Sequence, residues 1–187
     1  MMTVHKAFVE KVKIDGIVLS RLMPGEDLFT SLKKIAKDHG IERGVILSAI
    51  GSLKNVVFRN VKTDVEIPMK PENTNEIEEK GPFELLSLEG NLFPSESDKE
   101  PIIHLHVMLG SPSGGVMGGH LFKATVFTTT EIFIGKIVGS SVYKTKSDVT
   151  GLMELLKKIN YPGSRRPWAL PVDEYASVWP GCRPAGA

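Results

Sequence analysis

The sequence predicts an α+β fold: a mainly antiparallel, partly barrel-like sheet with one principal packed helix and a C-terminal helix. Three observations carry that expectation. Short β-branched and apolar runs recur along the chain, and two segments place apolar residues at helical spacing. Strands and helices do not alternate regularly, as a parallel β–α–β sheet would require. The length of 187 residues suits one domain.

Val9 to Leu22 is rich in β-branched residues, and Asp15-Gly16 offers a turn or a bulge, so one or two strands are expected there. Pro24-Gly25-Glu26-Asp27 then opens a helix with Asp27 as N-cap. Leu28, Leu32, Ile35 and Ala36 form its apolar face, and Lys33, Lys34 and Lys37 take up much of the solvated remainder. His39 suits the negative end of the helix dipole, and Gly40 stops the helix. Gly44 to Ile50 reads as a buried strand. Gly51-Ser52 interrupts it, and Leu53 to Val61 resumes strand character.

Lys62 to Lys80 is polar, acidic and punctuated by proline, which predicts a surface loop. Phe83 to Phe93 predicts a strand pair or a bent strand with Gly90 at the kink, followed by a polar turn from Pro94 to Glu100. Ile102 to Leu109 and His120 to Thr128 are two strands joined by a glycine-rich connection, and Glu131 to Val138 is a last strand. Val149 to Ile159 places Leu152, Leu155, Leu156 and Ile159 on one side of a helix. Residues 160–187 contain Pro162, Pro167, Pro171, Pro180 and Pro184 with Trp168 and Trp179, a composition that predicts an irregular tail.

Bulk properties narrow the function classes. Lys and Arg total 23 against 22 Asp and Glu, so composition supplies no argument for a phosphate-binding basic face. Cys182 is the only cysteine, which excludes an intrachain disulfide and suits a reducing compartment. The first ten residues lack the apolar core of a signal peptide, and no run approaches the roughly 20 apolar residues of a membrane span. The expectation is a soluble cytoplasmic protein.

The chemistry is concentrated in histidine. Residues two apart in a strand share a face, so His104-Leu105-His106 projects two imidazoles side by side. A turn near Ser113-Gly114 sets His106 opposite His120 on the returning strand, where Cβ atoms lie roughly 4.5–5.5 Å apart. Gly118-Gly119 before His120 permits a bulge or a close backbone approach. Three imidazoles without a thiolate fit an open metal site, zinc first and other transition metals after it. The bland alternative is a pair of hydrogen-bonded strand histidines with His120 unrelated. The glycine-rich run lacks the Gly-Lys-Ser/Thr ending of a phosphate loop.

Among other polar residues, Glu131 is the candidate catalytic group, as a carboxylate orienting a histidine or as a base beside the metal; a solvent-facing strand-end glutamate is the alternative. Glu84 and Glu89 either line a cleft or simply face outward. Ser48 and Ser52 around Gly51 either line a pocket or, the better reading, are turn residues, and His5 and Cys182 read as chemically inert.

Several segments together resemble the plants-and-prokaryotes-conserved (PPC) domain. They are Arg21 to Leu28, Ser48-Ala49-Ile50-Gly51-Ser52-Leu53, Gly81-Pro82-Phe83-Glu84-Leu85-Leu86-Ser87-Leu88-Glu89-Gly90, His104-Leu105-His106, Gly118-Gly119-His120-Leu121 and Thr130-Glu131-Ile132. The resemblance runs from Val9 to Val138. It implies a PPC-like domain over residues 1–140, with residues 141–159 as a helical extension, assembled as a homotrimer. It also brings a DNA-binding label, but the prokaryotic type lacks the Arg-Gly-Arg-Pro core of an AT-hook. Here the nearest approach is Ser164-Arg165-Arg166-Pro167, without the glycine. The histidine pattern is similar to that of acetolactate decarboxylase and related zinc proteins, which implies zinc on His104, His106 and His120 and a small carbonyl or oxyanion ligand. It does not carry the decarboxylation reaction across.

Overall fold

Alternating burial along the β-branched segments builds one curved sheet around an apolar interior. A computed structural model describes residues 7–96 and 100–157. The elements run β1 (Lys13–Leu22), α1 (Leu28–Asp38), β2 (Gly44–Val61), a 3-10 turn at Pro71–Asn73, β3 (Thr74–Pro94), β4 (Pro101–Gly110), β5 (Val116–Val138), β6 (Val142–Lys146) and β7 (Met153–Lys157). The larger sheet has the order β1-β5-β2-β3-β4, with a further pairing between β5 and β4, and all its pairings are antiparallel. That extra pairing closes β5, β2, β3 and β4 into a ring, the barrel-like part of the fold.

Side chains on the inner face fill the ring. Leu53, Val56, Leu92, Leu105, Leu109, Leu121, Val126, Ile132 and Ile134 are fully or almost fully buried in one cluster. Helix α1 adds Leu28, Leu32 and Ala36 from the stripe expected of it. Its start is fixed by Asp27, whose carboxylate accepts the Thr30 backbone N–H at 2.8 Å. Phe93, Val142, Tyr143 and Leu156 are buried outside this cluster, where the β6–β7 hairpin meets the end of β3.

Four expectations change. Gly44–Ile50 and Leu53–Val61 are one strand, because Gly51 absorbs a register shift that a side chain could not. His120–Thr128 and Glu131–Val138 likewise join into the 23-residue β5. Thr74–Lys80, expected as loop, is the first part of β3. It pairs with Asn55–Val61, and Arg59 bonds Glu76 across the two strands at 2.9 Å.

The C-terminal helix is absent from the described residues. Val149–Lys157 is a turn and a strand, because Gly151 takes a left-handed φ of +76° and Ser147 Oγ accepts the N–H groups of Val149 and Thr150. Leu152 is exposed while Leu156 is buried, so the leucines do not share one face. Ile159, the 160–187 tail with Ser164–Pro167, Trp168, Trp179 and Cys182, and His5 lie outside the described residues. Among those described, no helix is long and apolar enough to cross a membrane.

At Gly90 the backbone of β3 passes close to that of β4. At φ +156° its Cα faces the His104 carbonyl, and a Cβ there would run into that oxygen. Gly90→Ala should therefore lower stability by about 2–3 kcal/mol, a fall in thermal midpoint of roughly 5–10 °C measured by circular dichroism.

Candidate metal centre

The β4–β5 hairpin turns over residues 111–115, held by Ser111 N–H to the Gly115 carbonyl at 2.8 Å and Gly114 N–H to the Ser111 carbonyl at 2.9 Å. This turn sets the register in which His106 stands directly opposite His120. Leu105, Val107 and Leu121 point into the core, so the intervening histidines project from the outer face. A slip of one residue would send them inward.

Close packing behind His120 depends on glycine and on Asn60 of β2. Asn60 Oδ1 accepts the His120 backbone N–H at 3.1 Å, and its Nδ2 donates to the Gly118 carbonyl at 3.2 Å. The side chain thus bonds β5 backbone just beyond the last β2–β5 pair, Phe58 with Leu121. Gly119, at φ +151°, leaves the space: a Cβ there would coincide with the Asn60 amide.

The three rings converge. His106 Nε2 lies 3.2 Å from His104 Nε2 and 3.4 Å from His120 Nδ1, and ring centroids are 4.9–5.4 Å apart. One imidazole nitrogen carries either a single proton or a single lone pair, so His106 Nε2 cannot make two good hydrogen bonds at once. A shared cation explains the arrangement better. Nitrogens bound at about 2.0–2.1 Å around a tetrahedral zinc stand about 3.3–3.4 Å from each other. Among the described residues this is the one cluster of potential metal ligands, and it contains neither thiolate nor carboxylate.

Electrostatics favour the neutral imidazoles that metal binding needs. Burial, then the Lys144 ammonium, then the other two histidines push His104 down to about 4. His120 is also pushed down, by burial first, then by His106, Lys144 and Arg59. Asn91 stands opposite His104 on β3, with a buried Oδ1 that has no partner among the described residues. An acceptor placed there suits the second ring N–H of a ligating histidine.

The other sequence candidates are dispersed. Glu131 is eleven residues beyond His120 on β5, roughly 35 Å along an extended strand. It faces outward between Arg21 of β1 and Ile50 of β2, so it is not brought to the histidines. Glu89 is placed directly opposite His106 on β3 by the strand register, exposed and bonded by Ser87 at 3.4 Å, and is not a member of the ligand cluster. Glu84 and Ser52 line a separate groove with Ile50, Leu86, Pro112 and Phe127, and the histidines take no part in it. Ser48 is exposed on β2. Lys144, buried on β6, escaped the sequence reading, although Val142-Tyr143-Lys144-Thr145 has strand character.

The histidine shifts fix a sign for pH dependence. A histidine with a folded pKa below 6.5 binds fewer protons than in the unfolded chain, so stability present above pH 6.5 is lost on acidification toward 4. Urea midpoints of the metal-free protein should fall through that window, and His104→Gln should flatten the slope. Equal slopes for the two proteins would contradict the burial of His104.

Comparison with known proteins agrees with this architecture. A metal-containing protein from Archaeoglobus fulgidus superposes with a TM-score of 0.69 at 31% identity, covering 81% of this chain and 100% of that one. A plant- and prokaryote-conserved protein from Pyrococcus horikoshii gives 0.66 at 30%, covering 83% and 100%. A Bacteroides thetaiotaomicron protein described as a putative DNA-binding protein shares the fold at TM-score 0.63 and 21% identity, over 78% of this chain and 95% of that one. Acetolactate decarboxylase of Bacillus subtilis is more distant, at 0.47 and 18%, over 67% and 54%. Two Synechococcus proteins named bifunctional protein GlmU are 29% identical over 136 residues, which is 72% of this chain but only 19% of theirs. The profile of the Plants and Prokaryotes Conserved (PCC) domain matches residues 9–138, and the chain belongs to that family.

Proposed function

We propose that the protein binds a transition metal, zinc first, through His104, His106 and His120, and presents its open coordination position to a small carbonyl or oxyanion ligand. The observation that carries this reading is the convergence of three ring nitrogens at the spacing of tetrahedral ligands. The metal-containing description of the Archaeoglobus fulgidus relative at 31% identity supports it. Three neutral imidazoles leave the full charge of the ion in place, and a zinc held this way supplies a Lewis acid for an oxygen ligand.

The same reading makes the protein a cytoplasmic homotrimer. In support, the outer face of β1, β5 and β2 exposes Ile17, Leu19, Leu47, Ile50 and Phe133, with Phe133 between Leu19 and Ser48 in register. Exposed apolar residues gathered on one sheet face in this way form a self-association surface in many oligomers. DNA binding is the weaker reading. The neighbour so described is 21% identical, which speaks only to fold, and a formal charge of +1 adds no electrostatic argument for phosphate.

Two measurements test the proposal. After zinc loading and desalting, elemental analysis should find about one metal per chain in the wild type, while His104→Ala and His120→Ala should lose most of it. Equal, negligible metal in all three would remove the site. In light scattering the wild type should have about three times the 20.5 kDa chain mass, and Leu19→Lys with Phe133→Lys should shift it toward one. A monomeric wild type would remove the trimer.

A further inference from the structure

Three irregularities of the larger sheet meet at one place, away from the histidines. Ser52 of β2 faces Phe127, Thr128 and Thr129 of β5, and Lys54 faces both Gly81 and Pro82 of β3. Leu86 of β3 has no opposite number on β4, between the pairs Leu85 with Leu109 and Ser87 with Met108. Bulges of this kind re-aim side chains out of the regular pleat and are enriched beside functional sites. Here the bulged residues Pro82, Leu86, Phe127 and Thr128 all line one groove of about 600 Å³. That volume lies within the roughly 300–1,000 Å³ of small-molecule sites.

The walls are apolar and open to solvent. Ile50, Leu86 and Phe127 are 63%, 50% and 41% exposed around the same concavity. Glu84 is the one charged residue of the lining, and no lysine or arginine accompanies it. Register sets Glu84 between Ser52 of β2 and Gly110 of β4, and Gly110 has no side chain to cover it. Among the described residues Glu84 has neither a hydrogen bond nor an ion pair, whereas Glu10, Asp38, Glu76 and Glu100 each hold a cation. The other polar side chains are hydroxyls. Ser52 Oγ accepts the Thr128 N–H at 3.2 Å and lies 2.6 Å from Thr128 Oγ1. One hydroxyl donates to the other, which leaves the second with a proton for a ligand acceptor.

This lining selects by charge. An anion is repelled by Glu84, and a neutral apolar body would strip water from the carboxylate without replacing it. A second copy of the chain laid over the groove would do the same unless it brought a cation. We propose that the groove is a binding site for a small amphipathic amine, an ammonium group on an alkyl or aryl body, with Glu84 as its counter-ion. The ammonium forms a charge-assisted hydrogen bond with the carboxylate, and the body lies against Ile50, Leu86 and Phe127. The site is separate from the three histidines and does not depend on the metal reading. Ile50 also belongs to the face proposed for self-association, so the groove continues that face onto β3.

The test is a ligand-observed NMR titration of the full chain at constant ionic strength, with phenethylamine as the probe. The amine should bind saturably, and Glu84→Gln should weaken it about tenfold, as expected for one charge-assisted hydrogen bond. Phenethyl alcohol, neutral and of similar shape, should bind wild type and Glu84→Gln alike. Leu86→Ser, at a half-exposed position outside the core, should weaken both probes about threefold. Chelation of metal and His120→Ala should leave amine binding unchanged, because no histidine lines the groove.

Absence of saturable binding, or equal amine affinity in wild type and Glu84→Gln, would overturn the proposal and leave the metal site standing. If chelation abolishes amine binding, the amine is a metal ligand and the groove is not its site. If Glu84→Gln and Leu86→Ser change the mass in light scattering but not amine binding, a second copy covers the groove and the inference fails.

Discussion

Strand β5 pairs with three neighbours, and its first residues close the sheet by pairing with β4. Everything placed by the fold depends on that closure. The ring encloses the leucine-rich interior, and the hairpin that completes it carries all three histidines. Register is therefore shared between core and site: the alternation that buries Leu105 and Leu121 presents His106 and His120 on the other face. Glycines make the closure possible where strands come closest. Gly90 lets β3 pass the His104 carbonyl, and Gly119 leaves room for the Asn60 amide that braces His120.

This coupling explains which features were legible in the sequence. The pattern His104-Leu105-His106 followed by Gly118-Gly119-His120 has a strand period and a hairpin turn between its halves, so local geometry alone could pair the rings. Helix α1 was equally readable, because its cap and its apolar stripe agree with each other. The C-terminal segment was not. Leucines at 152, 155 and 156 satisfy a helical spacing, but Ser147 and Gly151 impose a turn through backbone hydrogen bonds that periodicity does not register. Acidic Thr74–Lys80 was misread for the opposite reason. Its composition disfavours a strand, and long-range pairing with Asn55–Val61 overrides it.

Misreading that last hairpin also hid the electrostatics of the site. Lys144 belongs to β6, and in a helical reading it is one more surface lysine. As a strand residue packed on the end of β3 it becomes a buried cation whose own pKa burial lowers to about 8. Glu131 shows the converse error. It shares a strand with His120, but strand membership gives direction and not proximity. At 3.3 Å per residue, β5 carries Glu131 away to the apolar outer face shared with β1 and β2. Glu89, two strands earlier in chain order, is nearer because register and not sequence places it opposite His106.

The two faces of the ring divide the energetics. Inner-face leucines and valines supply the burial that holds the domain together, and none of them is a site residue. Outer-face groups work against stability: half-buried histidines kept neutral, and an Asn91 oxygen without a partner among the described residues. These unfavourable groups lie around one hairpin and the strands flanking it. A bound cation can accept the imidazole lone pairs, and a ligating histidine's free N–H suits an acceptor such as Asn91. Their concentration on the side of the sheet that the core does not need is the physical argument behind the proposed metal site.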